Sequence, residues 1–137
     1  MIAHRRPDGP QATLVIFVHG FGGHRYKTWK QFPEFIYNDC PDMDIALFDY
    51  VTGPRRLFPR RSVDLRTTSR ELADLIRDVT YNQIILIGHS MGGLLCQATI
   101  CDLIRSRVDT REQVKAIDRI RGLFLLATPQ AGSGWAH

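Results

Sequence analysis

The stretch Gln83-Ile84-Ile85-Leu86-Ile87-Gly88-His89-Ser90-Met91-Gly92 decides the fold. Its run through Ile87 is apolar and of strand length, and a helical pattern of apolar positions opens near Leu94. Between them lies Gly88-x-Ser90-x-Gly92. Strand, tight turn and helix, in that order, form the setting in which G-x-S-x-G works as a nucleophile elbow. The turn is so sharp that a side chain at Gly88 or Gly92 would collide with the strand or helix packed across it, and its backbone is strained. Such a turn holds the hydroxyl of Ser90 above the sheet, within reach of a substrate carbonyl.

Upstream, residues 12–18 (Ala-Thr-Leu-Val-Ile-Phe-Val) form a continuous β-branched and aromatic run, the mark of a strand buried on both faces. His19-Gly20-Phe21-Gly22-Gly23 then reads as a loop. A helix is predicted from about Thr28 to Tyr37, with Trp29, Phe32 and Ile36 on one face, Thr28 as its cap and Pro33 disturbing its first turn. A second strand covers Asp44 to Tyr50. The stretch 52–61 is a loop rich in proline and arginine. An amphipathic helix follows, with Leu72, Leu75, Ile76 and Val79 on its apolar side. Beyond the elbow, Leu94, Leu95, Ala98 and Ile104 mark another helix, Thr110-Arg111-Glu112-Gln113 reads as a capping box opening a short helix through Ile117, and 123–127 is the last strand.

Strand and helix thus alternate four times. This predicts an α/β fold with a parallel, doubly wound sheet of about four strands and helices on both faces, preceded by an N-terminal tail at 1–11. Ligands of such sheets bind beyond the carboxyl ends of the strands. The loop at 19–23, the elbow and the turn at Thr128-Pro129 all fall there.

The 137 residues suit one domain with a real core. No apolar run approaches the roughly 18 residues of a membrane span, and nothing near the N-terminus resembles a signal peptide. Cys40, Cys96 and Cys101 match no zinc spacing. They read as free thiols in a reducing compartment, which points to the cytoplasm. No metal or organic cofactor is implied. The net charge is +4, carried almost wholly by arginine. Arg55-Arg56 and Arg60-Arg61 flank Leu57-Phe58-Pro59. A solvated loop is the favoured reading of this cluster; the alternative is peripheral contact with an anionic membrane surface. Nucleic acid is not expected, since no binding motif accompanies the charge.

Two loops converge on one chemistry. A serine nucleophile needs N–H donors for the oxyanion of its tetrahedral intermediate. One comes from the residue after the serine, Met91, and the other from the loop after the earlier strand, here Phe21. Each such donor is typically worth on the order of 10²–10³ in rate. Taken alone, Gly20, Gly22 and Gly23 would be only a tight turn; paired with the elbow they favour an oxyanion loop. His89 is expected to pack beside the elbow, not to act in catalysis. His4 and His24 are expected at the surface.

Val-His-Gly-Phe-Gly-Gly at 18–23 and Gly-His-Ser-Met-Gly-Gly at 88–93 resemble the α/β-hydrolase superfamily in its lipase and esterase branch. The segment Arg121 to Ser133, with Thr128-Pro129-Gln130-Ala131-Gly132-Ser133, is similar to the strand and turn of the serine-active-site-containing proteins and the GPI-inositol-deacylase-like lipases. Gln130 departs from them, standing where they carry histidine. The resemblance implies that residues 12–137 are the N-terminal part of such a domain. It also implies that Ser90 attacks carboxylic esters of lipid-like substrates, and that His19 braces the oxyanion loop by hydrogen bonding.

The family uses its groups in the chain order serine, acid, histidine. After Ser90 the acids are Asp102, Asp109, Glu112 and Asp118, all on predicted helices or their connection, and the only histidine is His137. The acid and base are therefore expected beyond residue 137. The strand at 123–127 is expected to present an apolar edge that the rest of the chain or an oligomer partner covers. The rival expectation is an inactive remnant of the fold that serves as a binding or assembly module.

Overall fold

The computed structural model describes residues 2–4, 12–20, 22–24, 27–50, 64–106 and 116–130. Its elements are β1 (Ile2–His4), β2 (Thr13–Val18), α1 (Phe32–Asp39), β3 (Met43–Phe48), α2 (Leu65–Asp78), β4 (Gln83–His89), α3 (Met91–Arg105) and β5 (Ile120–Leu126). They form one sheet in the order β1-β3-β2-β4-β5. The pairs β2–β3, β2–β4 and β4–β5 are parallel, so the expected four-stranded parallel sheet is present.

A fifth strand was not expected. Ile2–His4, within the segment assigned to a tail, pairs antiparallel with β3 through Ile2↔Leu47, Ala3↔Ala46 and His4↔Ile45. Three residues are too few to show a period of two, and the strand exists because the outer edge of β3 offers a ladder to it. The first helix also starts later than predicted. Pro33 has no N–H to donate and belongs in a first turn, so α1 begins at Phe32, after Gln31 as N-cap. Thr28 does not cap it. The Thr28 hydroxyl instead accepts from the N–H of His24 at 3.3 Å. The ladder of β3 ends at Phe48, which releases Asp49 and Tyr50, expected inside the strand, into the loop above the sheet.

Alternation along the strands divides the core. Leu14, Ile16 and Val18 of β2 meet Leu86 of β4 and the apolar sides of α2 and α3, including Leu72, Ile76, Leu95 and Leu103. Val15 and Phe17 face the other way, with Ile45, Leu47, Ile87 and Trp29. All six residues of β2 are buried, which is why its run is continuous and not alternating. On the first face, Ser69 of α2 donates to Asp102 of α3 at 2.7 Å, and Thr99 donates to the Ser69 carbonyl at 3.3 Å. At the base of β5, the Arg119 guanidinium reaches the carbonyls of Ile76, Val79 and Tyr81 and so closes the C-terminal end of α2. On the second face, Phe124 and Leu126 of the edge strand β5 stay exposed beside Phe32 and Ile36 of α1, and together they line an apolar groove of about 270 Å³.

Phe21, the Arg55–Arg61 cluster, Asp109, the capping box at 110–113 and His137 lie outside the described residues. So does the side chain of His4. His24 is exposed, as expected. No helix among the described residues is long and apolar enough to cross a membrane.

Candidate active site

Ser90 sits between the end of β4 and the start of α3, at φ 54° and ψ −123°. That backbone region is costly for a residue with a Cβ and persists only where the surroundings over-determine it. Here they do. A Cβ on Gly88 would lie 2.5 Å from the Cα of Gly93 in the first turn of α3. One on Gly92 would run into the carbonyls of Val18 and His19, and one on Gly93 into the side chain of Thr128. Strand, helix and the end of β2 therefore meet at distances that only glycine permits. The Ser90 N–H donates to the Leu126 carbonyl at 2.8 Å, and the Ser90 carbonyl accepts from Gly93 N–H at 3.0 Å.

The loop after β2 leans on the elbow. A Cβ on Gly20 would lie 2.9 Å from the Cβ of Ser90 and 2.9 Å from the His89 carbonyl. Gly23 N–H donates to the Gly20 carbonyl at 3.0 Å, which closes a turn whose third residue, Gly22, has φ +65°. The same carbonyl lies 3.0 Å from Nδ1 of His19, so that nitrogen carries the hydrogen and donates. The ring of His19 is buried, with 1% of its surface exposed. Its Nε2 lies 3.5 Å from a carboxylate oxygen of Asp49, and its ring stacks on Tyr50 at 4.5 Å between centroids and 11° between planes. The Tyr50 hydroxyl donates to the His19 backbone carbonyl at 2.6 Å. Burial pushes the Tyr50 phenol well above its ordinary range, with a smaller contribution from Cys96, so it stays a donor.

His89 packs beside the elbow with its ring edge-on to Trp29 at 6.1 Å. Met91 is the first residue of α3, where an N–H has no intrahelical acceptor. Among the described residues no hydrogen bond reaches the Ser90 hydroxyl. Asp102 is engaged by Ser69 in the α2–α3 contact, and Asp118 is exposed in the helical residues 116–118 before β5. Gln130, beyond β5, accepts from Gln97 of α3 at 3.2 Å.

The structure brings His19, Gly20, Gly88, His89, Ser90, Met91 and Gly92 to one end of the sheet. Asp49 and Tyr50 join them there and were not singled out from the sequence. Their signal was position: both stand at the carboxyl end of a parallel strand, where loop residues gather around a ligand site.

A parallel sheet with a strained serine turn wedged against a histidine-glycine loop defines a nucleophile-elbow architecture. Residues 15–137 match the alpha/beta hydrolase family model, and the chain belongs to that family. Protein SERAC1 of Mus musculus is 27% identical over 161 aligned residues, covering 96% of this chain and 24% of that protein. Protein SERAC1 of Homo sapiens is 27% identical over 162, with the same coverage. The chain thus spans about a quarter of the length of these curated relatives. Among solved structures, the Bacillus licheniformis lipase BlEst2 in mature form aligns with a TM-score of 0.63 at 22% identity, covering 97% of this chain and 48% of that one. At that identity the likeness is one of fold.

Proposed function

We propose that this chain carries the nucleophile half of a serine hydrolase acting on carboxylic esters with lipid-like acyl groups. Ser90 Oγ attacks the acyl carbon, and the N–H groups of Met91 and Phe21 hold the oxyanion. Collapse of the tetrahedral intermediate expels the alcohol and leaves an acyl-serine, which water then hydrolyses. A histidine takes the serine proton and returns it to the leaving alcohol, with a carboxylate orienting the imidazole. His19 is not that base in this reading, since its Nδ1 donates to Gly20, its Nε2 faces Asp49 and its ring is buried. The base and acid are assigned to sequence following residue 137, which would also cover the outer edge of β5. Three free thiols fit a reducing compartment such as the cytoplasm.

The observation that carries the reading is the backbone of Ser90, held at φ 54° with Gly20 packed directly against it. Hydrolysis of p-nitrophenyl esters of graded acyl length by the full-length protein tests it. Turnover that is lost in Ser90→Ala supports it, and turnover unchanged in that variant overturns it.

A further inference from the structure

We propose that Tyr50, acting through His19, is a positioning residue for the oxyanion loop. The inference rests on the nucleophile reading of Ser90. Tyr50 comes from the end of β3, 31 residues away in sequence, and holds His19 in two ways. Its hydroxyl donates to the His19 carbonyl at 2.6 Å, and its ring lies flat on the imidazole at 4.5 Å. It also packs on Phe48, with ring centroids 5.9 Å apart, and against the core cluster that includes α2 and α3. The ring is thus clamped between the hydrophobic core and the loop.

What the clamp controls is a peptide plane. The Gly20 carbonyl accepts from His19 Nδ1 and from Gly23 N–H, both at 3.0 Å. In a trans peptide the C=O and N–H point in opposite directions, so fixing the Gly20 carbonyl fixes the direction of the N–H that follows it. That N–H belongs to Phe21, the proposed second oxyanion donor. An imidazole free to rotate about its χ angles would hold the Gly20 carbonyl less well, and misdirecting an oxyanion donor by a fraction of an ångström loses more in the transition state than in substrate binding. The Asp49 carboxylate lies 3.5 Å from the opposite ring nitrogen.

The test uses the full-length protein and Tyr50→Phe, which keeps the stacked ring and removes only the hydroxyl, alongside Tyr50→Ala, which removes both. Three quantities are read: kcat and KM for a p-nitrophenyl ester, the thermal midpoint, and amide hydrogen exchange across residues 19–24. The proposal predicts that Tyr50→Phe lowers kcat about tenfold, the worth of one hydrogen bond expressed as rate, with KM within about twofold of the parent. It predicts faster exchange in residues 19–24 and a larger kcat loss in Tyr50→Ala. Unchanged kcat and unchanged exchange in Tyr50→Phe would overturn it, even if the parent is an active Ser90 hydrolase. Equal losses in kcat and thermal midpoint with no local change in exchange would also overturn it, by showing a general structural role. If the parent proves inactive, the nucleophile reading fails by itself, and the exchange measurement still decides whether Tyr50 holds the loop.

Discussion

The backbone N–H of Ser90 donates to the carbonyl of Leu126 at 2.8 Å and ties the elbow to the end of β5. Ser90 has φ 54°, and Ala127, directly after Leu126, has φ 49°. Two non-glycine residues with positive φ therefore stand at the carboxyl ends of neighbouring strands, beside the hydrogen bond from Ser90 to Leu126. Strain of this kind costs of order 1–3 kcal/mol per residue and is retained where a site needs a fixed geometry.

Glycine at position 90 would relieve part of that strain. Ser90→Gly is expected to raise stability by about 1 kcal/mol in a denaturant titration while removing the proposed nucleophile, the trade expected where stability is given up for function. A loss of stability in this variant would mean that the turn is not strained at Ser90.

Gly88 of the elbow and Gly22 of the loop are expected to separate sharply. Gly88→Ala brings a Cβ against the backbone of Gly93, which cannot rotate away, and should cost at least about 3 kcal/mol or prevent folding. Gly22→Ala meets no atom within 4 Å and should cost only the left-handed penalty of about 1–2 kcal/mol. Equal unfolding midpoints for the two variants would contradict the packing described.

Arg119 joins the last strand to the end of α2, and desolvation lowers the pKa of its partly buried guanidinium. Arg119→Met keeps much of the stem but leaves the carbonyls of Ile76, Val79 and Tyr81 without it. A loss of about 2 kcal/mol is expected in urea unfolding. Arg119→Lys should recover only part of this, because one ammonium cannot span three carbonyls as the planar fork does.

The thiols should differ in reactivity. Burial pushes Cys96 from an ordinary 9.0 up to about 12, whereas Cys101, five residues on along the same helix, is exposed. Iodoacetamide at pH 8 should modify Cys101 and spare Cys96, as read by intact mass and peptide mapping. Because the folded protein holds the Cys96 proton more tightly than the unfolded chain, its contribution to stability is complete below about pH 9 and is lost as pH rises towards 12. Tyr50, shifted in the same direction, adds to that alkaline loss.

Much of this architecture is legible in the residues. The continuous apolar runs at 13–18 and 84–87 have the length and β-branched content of buried strands, and the glycines around Ser90 announce a turn with no room for side chains. What escaped has physical causes. Ile2–His4 is too short to carry a period, and its strand comes from an edge supplied by β3. Thr28 and Trp29 fit a helical face, but Pro33 moves the helix start past them. Tyr50 looks like the last residue of an apolar strand. Its role depends on His19, 31 residues earlier, and no local pattern encodes that meeting.

Covalent labelling decides whether Ser90 is a nucleophile. The full-length protein treated with a fluorophosphonate should gain one adduct, mapped by peptide mass spectrometry to Ser90 and absent in Ser90→Ala. Labelling that persists in Ser90→Ala, or an active full-length esterase with Ser90 unmodified, would contradict the account. A full-length protein that neither labels nor turns over ester would instead support the binding module as the use of this fold.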